Sequence, residues 1–159
     1  MLNKALEYLD KMVKKGVDID TRFWEILREE YLSAELLHEF ACRCAEKALA
    51  LVENPDPRSV AAIEAKRKWL RGEISTEELI LKIHHTEMAG RNTAFVAAWP
   101  DARDSAYMTM GSLADEEAYR AISSEVLSVT YQEAVQASRF AQMQMLVMLI
   151  IERDVINHI

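Results

Sequence analysis

The sequence predicts an all-α fold: a single domain over residues 1–159, a bundle of about six to seven helices with a long C-terminal helix. Three observations predict it. Helix breakers are scarce, with four Gly and three Pro in 159 residues, among many Ala, Leu, Glu, Lys and Met. Apolar residues recur at spacings of three and four. Start and stop signals alternate along the chain, with no strand pattern, repeat or linker between them.

Taken in order, an amphipathic helix is expected from Leu2 to Lys15, ended by Gly16 as a C′ residue. A second starts near Asp20 and carries Phe23, Trp24, Ile26 and Leu27. A third runs from a Ser33 cap to Val52, with Leu37, Phe40, Ala41, Cys44, Ala48 and Leu51 on one stripe. Asn54-Pro55-Asp56-Pro57 breaks it, and Asp56 and Pro57 suit the N-cap and N1 positions of the next helix. That helix reaches Arg71 and stops at Gly72. Ser75-Thr76-Glu77-Glu78 is then a capping box for a helix expected to run to Trp99, before Pro100. A shorter helix from Asp101 to Ala114 and a long one from Glu116 towards Val155 complete the chain.

Half of the residues are hydrophobic and 28% are charged, the balance of an ordered globular protein. The formal charge of −7 argues against a general polyanion binder, so no direct nucleic-acid binding is expected, and it permits a basic partner. Cys42 and Cys44 lie about 160° apart on a helix, which excludes a mutual disulfide and points to a reducing compartment. The N-terminus lacks the apolar core of a signal peptide. The longest strictly apolar run, Met145 to Ile151, is shorter than the ~20 residues of a membrane span. A cytoplasmic protein without a membrane partner is the expectation. The same run suits a central core helix, or a surface for homo-oligomers.

Several polar residues fall on apolar faces of this scheme. His84, Glu87 and Arg91 lie inside the wide apolar arc of the helix from Thr76 to Trp99, and Glu133 lies within the stripe Ile122, Val126, Val129, Phe140, Val147, Ile151. A buried charge must be paired or change its protonation. These four residues therefore form a candidate buried polar cluster, read either as a structural network or as a ligand or acid/base site. Lys66 also faces the apolar side of its helix, its stem packed and its ammonium expected to reach water. Glu35-Leu36-Leu37-His38 matches one Glu-x-x-His element of a di-iron bundle, but a second is missing and His38 sits at the flank of its stripe. His38 and Cys42 lack a second pair of zinc ligands. No nucleophile elbow, P-loop or dinucleotide fingerprint is present. No catalytic residue, metal or cofactor is assigned.

The stretch from Ala41 to Leu79 resembles a family of small all-helical proteins of bacterial and phage genomes, the putative immunity proteins. The similarity lies in CAEKALALVENPDPR, then AIEAKRKWLRGEIS, then a capped helix rich in small residues. The middle of such proteins is typically Ala-rich, whereas this chain has Tyr107-Met108-Thr109-Met110-Gly111. The resemblance implies a non-enzymatic protein that binds and neutralises a toxin or other effector, and it carries over no functional residue.

The expected function is thus a protein-binding inhibitor, of the immunity type or a phage anti-defence factor, acting by surface complementarity. The candidate acidic partner surface is Glu29, Glu30, Asp115, Glu116 and Glu117, with Glu35, Glu39 and Glu46 beside them; solvated helix faces are the plain alternative. The alternative function is a small-molecule- or metal-binding bundle using His84, Glu87, Arg91 and Glu133.

Overall fold

A computed structural model describes residues 3–88, 92–124 and 129–157. Among them eight helices follow one another: α1 (Lys4–Lys14), α2 (Ile19–Ile26), α3 (Ala34–Ala50), α4 (Pro57–Leu70), α5 (Thr76–Glu87), α6 (Thr93–Ala97), α7 (Ala102–Ser123) and α8 (Tyr131–Asn157). The all-α class is as expected, with one more helix than the range read from the sequence.

Side-chain caps explain where these helices begin. Asn3, Asp18, Ser33, Asp56, Ser75, Asn92 and Asp101 each accept a backbone N–H of the helix they open. Each satisfies a donor that the first turn leaves without an intrahelical acceptor. Two helices end in Schellman motifs. Gly16 (φ +73°) and Gly72 (φ +74°) take the left-handed conformation, and the residues that follow donate back to Met12 and Lys68 carbonyls at 3.0 and 2.9 Å.

α3 is the centre. Its Leu36, Leu37, Phe40, Cys44 and Ala48 join the largest core, shared with α1, α2, α7 and α8. Its Ala41 and Ala45 meet Ile63 of α4 and Ala94 and Ala97 of α6 in a small-residue cluster. A third cluster, Ala62, Ala65, Leu79, Ile83, Phe95 and Ala98, holds α4, α5 and α6 together.

Two boundaries differ from those expected. The helix opened by Ser75 ends at Glu87, and α6 restarts at Thr93 under an Asn92 cap, whose amide also donates to Ser59 Oγ at 3.0 Å. The expected break near Ala114 is absent. α7 runs through it because Ala106, Met110, Leu113, Ala114 and Ala118 keep an unbroken buried spacing of three and four. The interruption falls later, after Ser123.

α8 buries Ala134, Ser138, Gln142, Met143, Leu146, Leu149 and Ile150. The run Met145 to Ile151 is therefore one-sided, not core all round: Met148 is 65% and Ile151 41% exposed. By length and composition α8 could also cross a membrane, which the strictly apolar run did not indicate.

A Cβ at Gly72 meets nothing within 4 Å, so Gly72→Ala should cost only its backbone strain, about 1 kcal/mol, read as a lower urea midpoint at unchanged m-value. Ala45→Leu, by contrast, should cost about 1–3 kcal/mol, because α4 and α6 must move off α3. A smaller loss for Ala45→Leu than for Gly72→Ala would contradict this picture of the centre.

Candidate functional site

The buried polar site of this protein centres on Lys66, which is fully buried. Its helix, α4, presents it inwards between Ala62 and Leu70. The ammonium donates to the carbonyl oxygen of Trp99. That carbonyl lies just beyond α6, where helix carbonyls lack intrahelical donors. The same nitrogen stands 5.2 Å from the centroid of the Trp69 ring. His38 of α3 packs edge-on to Trp69 at 5.2 Å, and the Trp69 indole N–H donates to Thr76 Oγ1 at 3.1 Å.

Burial sets the protonation of this cluster. It lowers Lys66 to about 8, against the pull of Cys42 and Asp101. It lowers His38 to about 4, helped by the Lys66 charge, so the imidazole is neutral at pH 7. It raises the Cys42 thiol to about 11 and the Cys44 thiol further, leaving both unreactive. Two expectations are corrected here: Lys66 does not reach water, and His38 is not a flank residue; Cys42 is buried beside them. α3 is buried on two sides, so residues beside its main stripe are still interior.

The candidate cluster His84, Glu87, Arg91 and Glu133 is not a buried one. His84 and Glu87 lie 3.9 Å apart on the outer face of α5, their side chains 67% and 40% exposed. Only Leu79, Ile83 and Thr86 of that helix are buried. The wide apolar arc assumed that one helix continued to Trp99, and the break after Glu87 removes that register. Arg91 lies outside the described residues. Glu133 is exposed in the first turn of α8, where its N–H donates to Thr130 Oγ1 at 3.1 Å and Thr130 donates to its carboxylate at 3.0 Å. Thr130-Tyr131-Gln132-Glu133 was a legible capping signal.

Among the described residues, no three His, Cys, Asp or Glu side chains converge as metal ligands. Glu35 is drawn to Arg153 at 3.0 Å, its side chain 72% exposed, whereas His38 is buried. The acids of α3 are largely neutralised within the chain. Arg67 bridges Glu39 and Glu46 at 2.5 and 2.6 Å, and Arg43 reaches Glu39 and Glu152. Glu117 binds Lys47 and Ser138, and Asp115 accepts from the Tyr131 hydroxyl. Glu116 is half-buried, whereas Glu29 and Glu30 are exposed in the turn after α2.

An open groove of about 540 Å³ runs between α6 and α7, with Phe95, Val96, Trp99, Tyr107 and Met108 along it and Asp115 at its edge. Trp99 is 42% and Met108 55% exposed. Trp24 stands edge-on to Tyr107 at 5.1 Å, with the Arg103 guanidinium 4.4 Å from its ring centroid. The sequence sets Trp99 at the end of an expected helix and marks Tyr107 to Gly111 as a departure from the Ala-rich middle of the resembling family, without joining them.

Lys66 holds its proton less tightly in the fold, at about 8, than in the unfolded chain, at 10.5. Between those values the unfolded chain carries more protons, so this group makes stability rise with pH by up to about 3 kcal/mol. Urea titrations of the parent and Lys66→Met should show the parent gaining on the variant from pH 7 to 10.5. Parallel profiles would contradict a charged, buried Lys66.

No curated protein and no solved structure matches the chain. A family model described as Imm-5 like putative immunity protein matches residues 30–99, just under half of the chain. The match spans α3 to α6 and contains His38, Cys42, Lys66, Trp69 and Trp99; Tyr107 and Met108 lie beyond it. The resemblance carried by Ala41 to Leu79 thus extends over residues 30–99, the segment that is similar to the Imm-5 like putative immunity protein family.

Proposed function

We propose that this protein is a non-enzymatic binding factor of the immunity type, which neutralises a toxin or effector protein by covering part of its surface. The observation that carries this reading is the aromatic groove between α6 and α7, whose Trp99 comes from the family-matched segment. Large aromatic and Met side chains left half-exposed beside a concavity are the groups that dominate protein interfaces. Lys66 supports the groove from behind by holding the Trp99 carbonyl.

Asp115 and, on the first turn of α7, Asp104 add negative charge next to this apolar surface, with Arg139, itself paired with Asp20, as the cation of the lining. Glu29, Glu30, Glu116 and Glu117 extend the acidic character of a chain with net charge −7. The partner that fits is an apolar anchor flanked by basic residues. Charge steers its approach, and the aromatic groups supply most of the affinity. The two free, buried thiols support a reducing compartment such as the cytoplasm.

Affinity capture from the native host tests this reading, comparing the parent with Trp99→Ala and Met108→Asp. The parent should retain a specific protein whose activity it suppresses. Trp99→Ala should weaken that complex about 30-fold, the scale of an interface hot spot. Raising salt to 0.5 M should weaken it by less than Trp99→Ala does. A complex indifferent to both variants would remove the groove from the mechanism, and a captured protein whose activity is unchanged would remove the inhibitory role.

A further inference from the structure

We propose that a second groove, between α3, the end of α4 and the C-terminal half of α8, is an oxyanion site for a small ligand bearing a phosphate or a carboxylate. It shares no lining residue with the groove between α6 and α7, so it stands apart from the proposed function. Its volume is about 510 Å³, and Glu35, His38, Glu39, Arg67, Arg71 and Arg153 line it around Leu70.

Three guanidiniums line it, each already ion-paired within the chain: Arg67 with Glu39 and Glu46, Arg71 with Glu73, and Arg153 with Glu35. One nitrogen on each of two lining side chains lacks a hydrogen bond. His38 is 6% exposed, and its Nδ1 is buried with no hydrogen bond. Arg153 Nε is likewise buried with no acceptor, although its Nη1 reaches Glu35. A guanidinium N–H can only donate, so the missing group at Arg153 is an acceptor. A planar guanidinium favours the oxygens of phosphate or carboxylate.

His38 narrows the ligand further. Neutral imidazole carries its proton on one nitrogen only. A carboxylate satisfies Nδ1 only when that proton is on Nδ1. A hydrogen phosphate satisfies either tautomer, because it both donates and accepts. Arg153 is available to exchange partners, since the Glu35 carboxylate that holds it is 72% exposed and the pair is weak in water. Arg71 is 56% exposed and its ion pair is with the exposed Glu73, so it too can turn to an incoming anion.

The test is calorimetric titration of the whole chain with inorganic phosphate and, separately, acetate, at pH 7 and constant ionic strength. The ring nitrogen resonances of His38 are followed in parallel. Saturable binding that moves the His38 signal is expected for phosphate. An equal response to acetate assigns a carboxylate ligand as well, and silence assigns phosphate alone. Arg153→Gln should weaken binding about tenfold, and Arg71→Gln, at a more exposed position, should weaken it less. Glu35→Gln should tighten it about threefold by removing the competing carboxylate. The proposal is overturned if phosphate does not saturate, if the His38 signal stays still, or if Glu35→Gln weakens binding.

Discussion

The structure depends on the two-sided burial of α3. One side offers Leu36, Leu37, Phe40 and Cys44 to the helices at both ends of the chain. The other offers Ala41 and Ala45, with Leu49 beside them, to Ile63, Ala94 and Ala97. Small side chains let α6 and α4 approach the α3 backbone closely, while large ones fill the wider gap towards α1, α2 and α8. A helix that packs in this way cannot be slid or rotated without forming clashes on one side and voids on the other.

The interior of α3 also explains the unusual company of Lys66. A charge with no water needs a compensating dipole and polarisable surroundings. The Trp99 carbonyl supplies the first, and the Trp69 ring supplies the second. The same contact ties the corner before α7 to α4. A buried polar bond therefore stands directly behind the half-exposed Trp99. Interior electrostatics and surface recognition meet at one residue, through its backbone and its side chain respectively.

Charge on the outside follows a different logic. Arg43, Arg67 and Arg153 draw Glu35, Glu39, Glu46 and Glu152 into ion pairs that stitch α3 to α4 and α8. A run of acidic residues in the sequence thus becomes a seam rather than a free acidic face. Around Arg153 the seam is incomplete: its Nε is buried without an acceptor, and Arg153 lines one groove with His38, whose Nδ1 also lacks a hydrogen bond.

The sequence by itself determined the helical class and most helix ends, because caps and C′ glycines act within a few residues of themselves. Ser33, Asp56, Ser75, Gly16 and Gly72 do what their local chemistry requires. The Asn92 and Thr130 caps are equally local, and the breaks they mark set the faces of His84, Glu87 and Glu133. A helical wheel holds its phase only while the helix is unbroken, since each residue adds about 100° and a break resets the count. Only the tertiary structure decided that Lys66, His38 and Cys42 are interior and that Trp99 meets Tyr107 and Met108 in one groove. Burial depends on which helices surround a position, and that is set by packing between segments far apart in the chain.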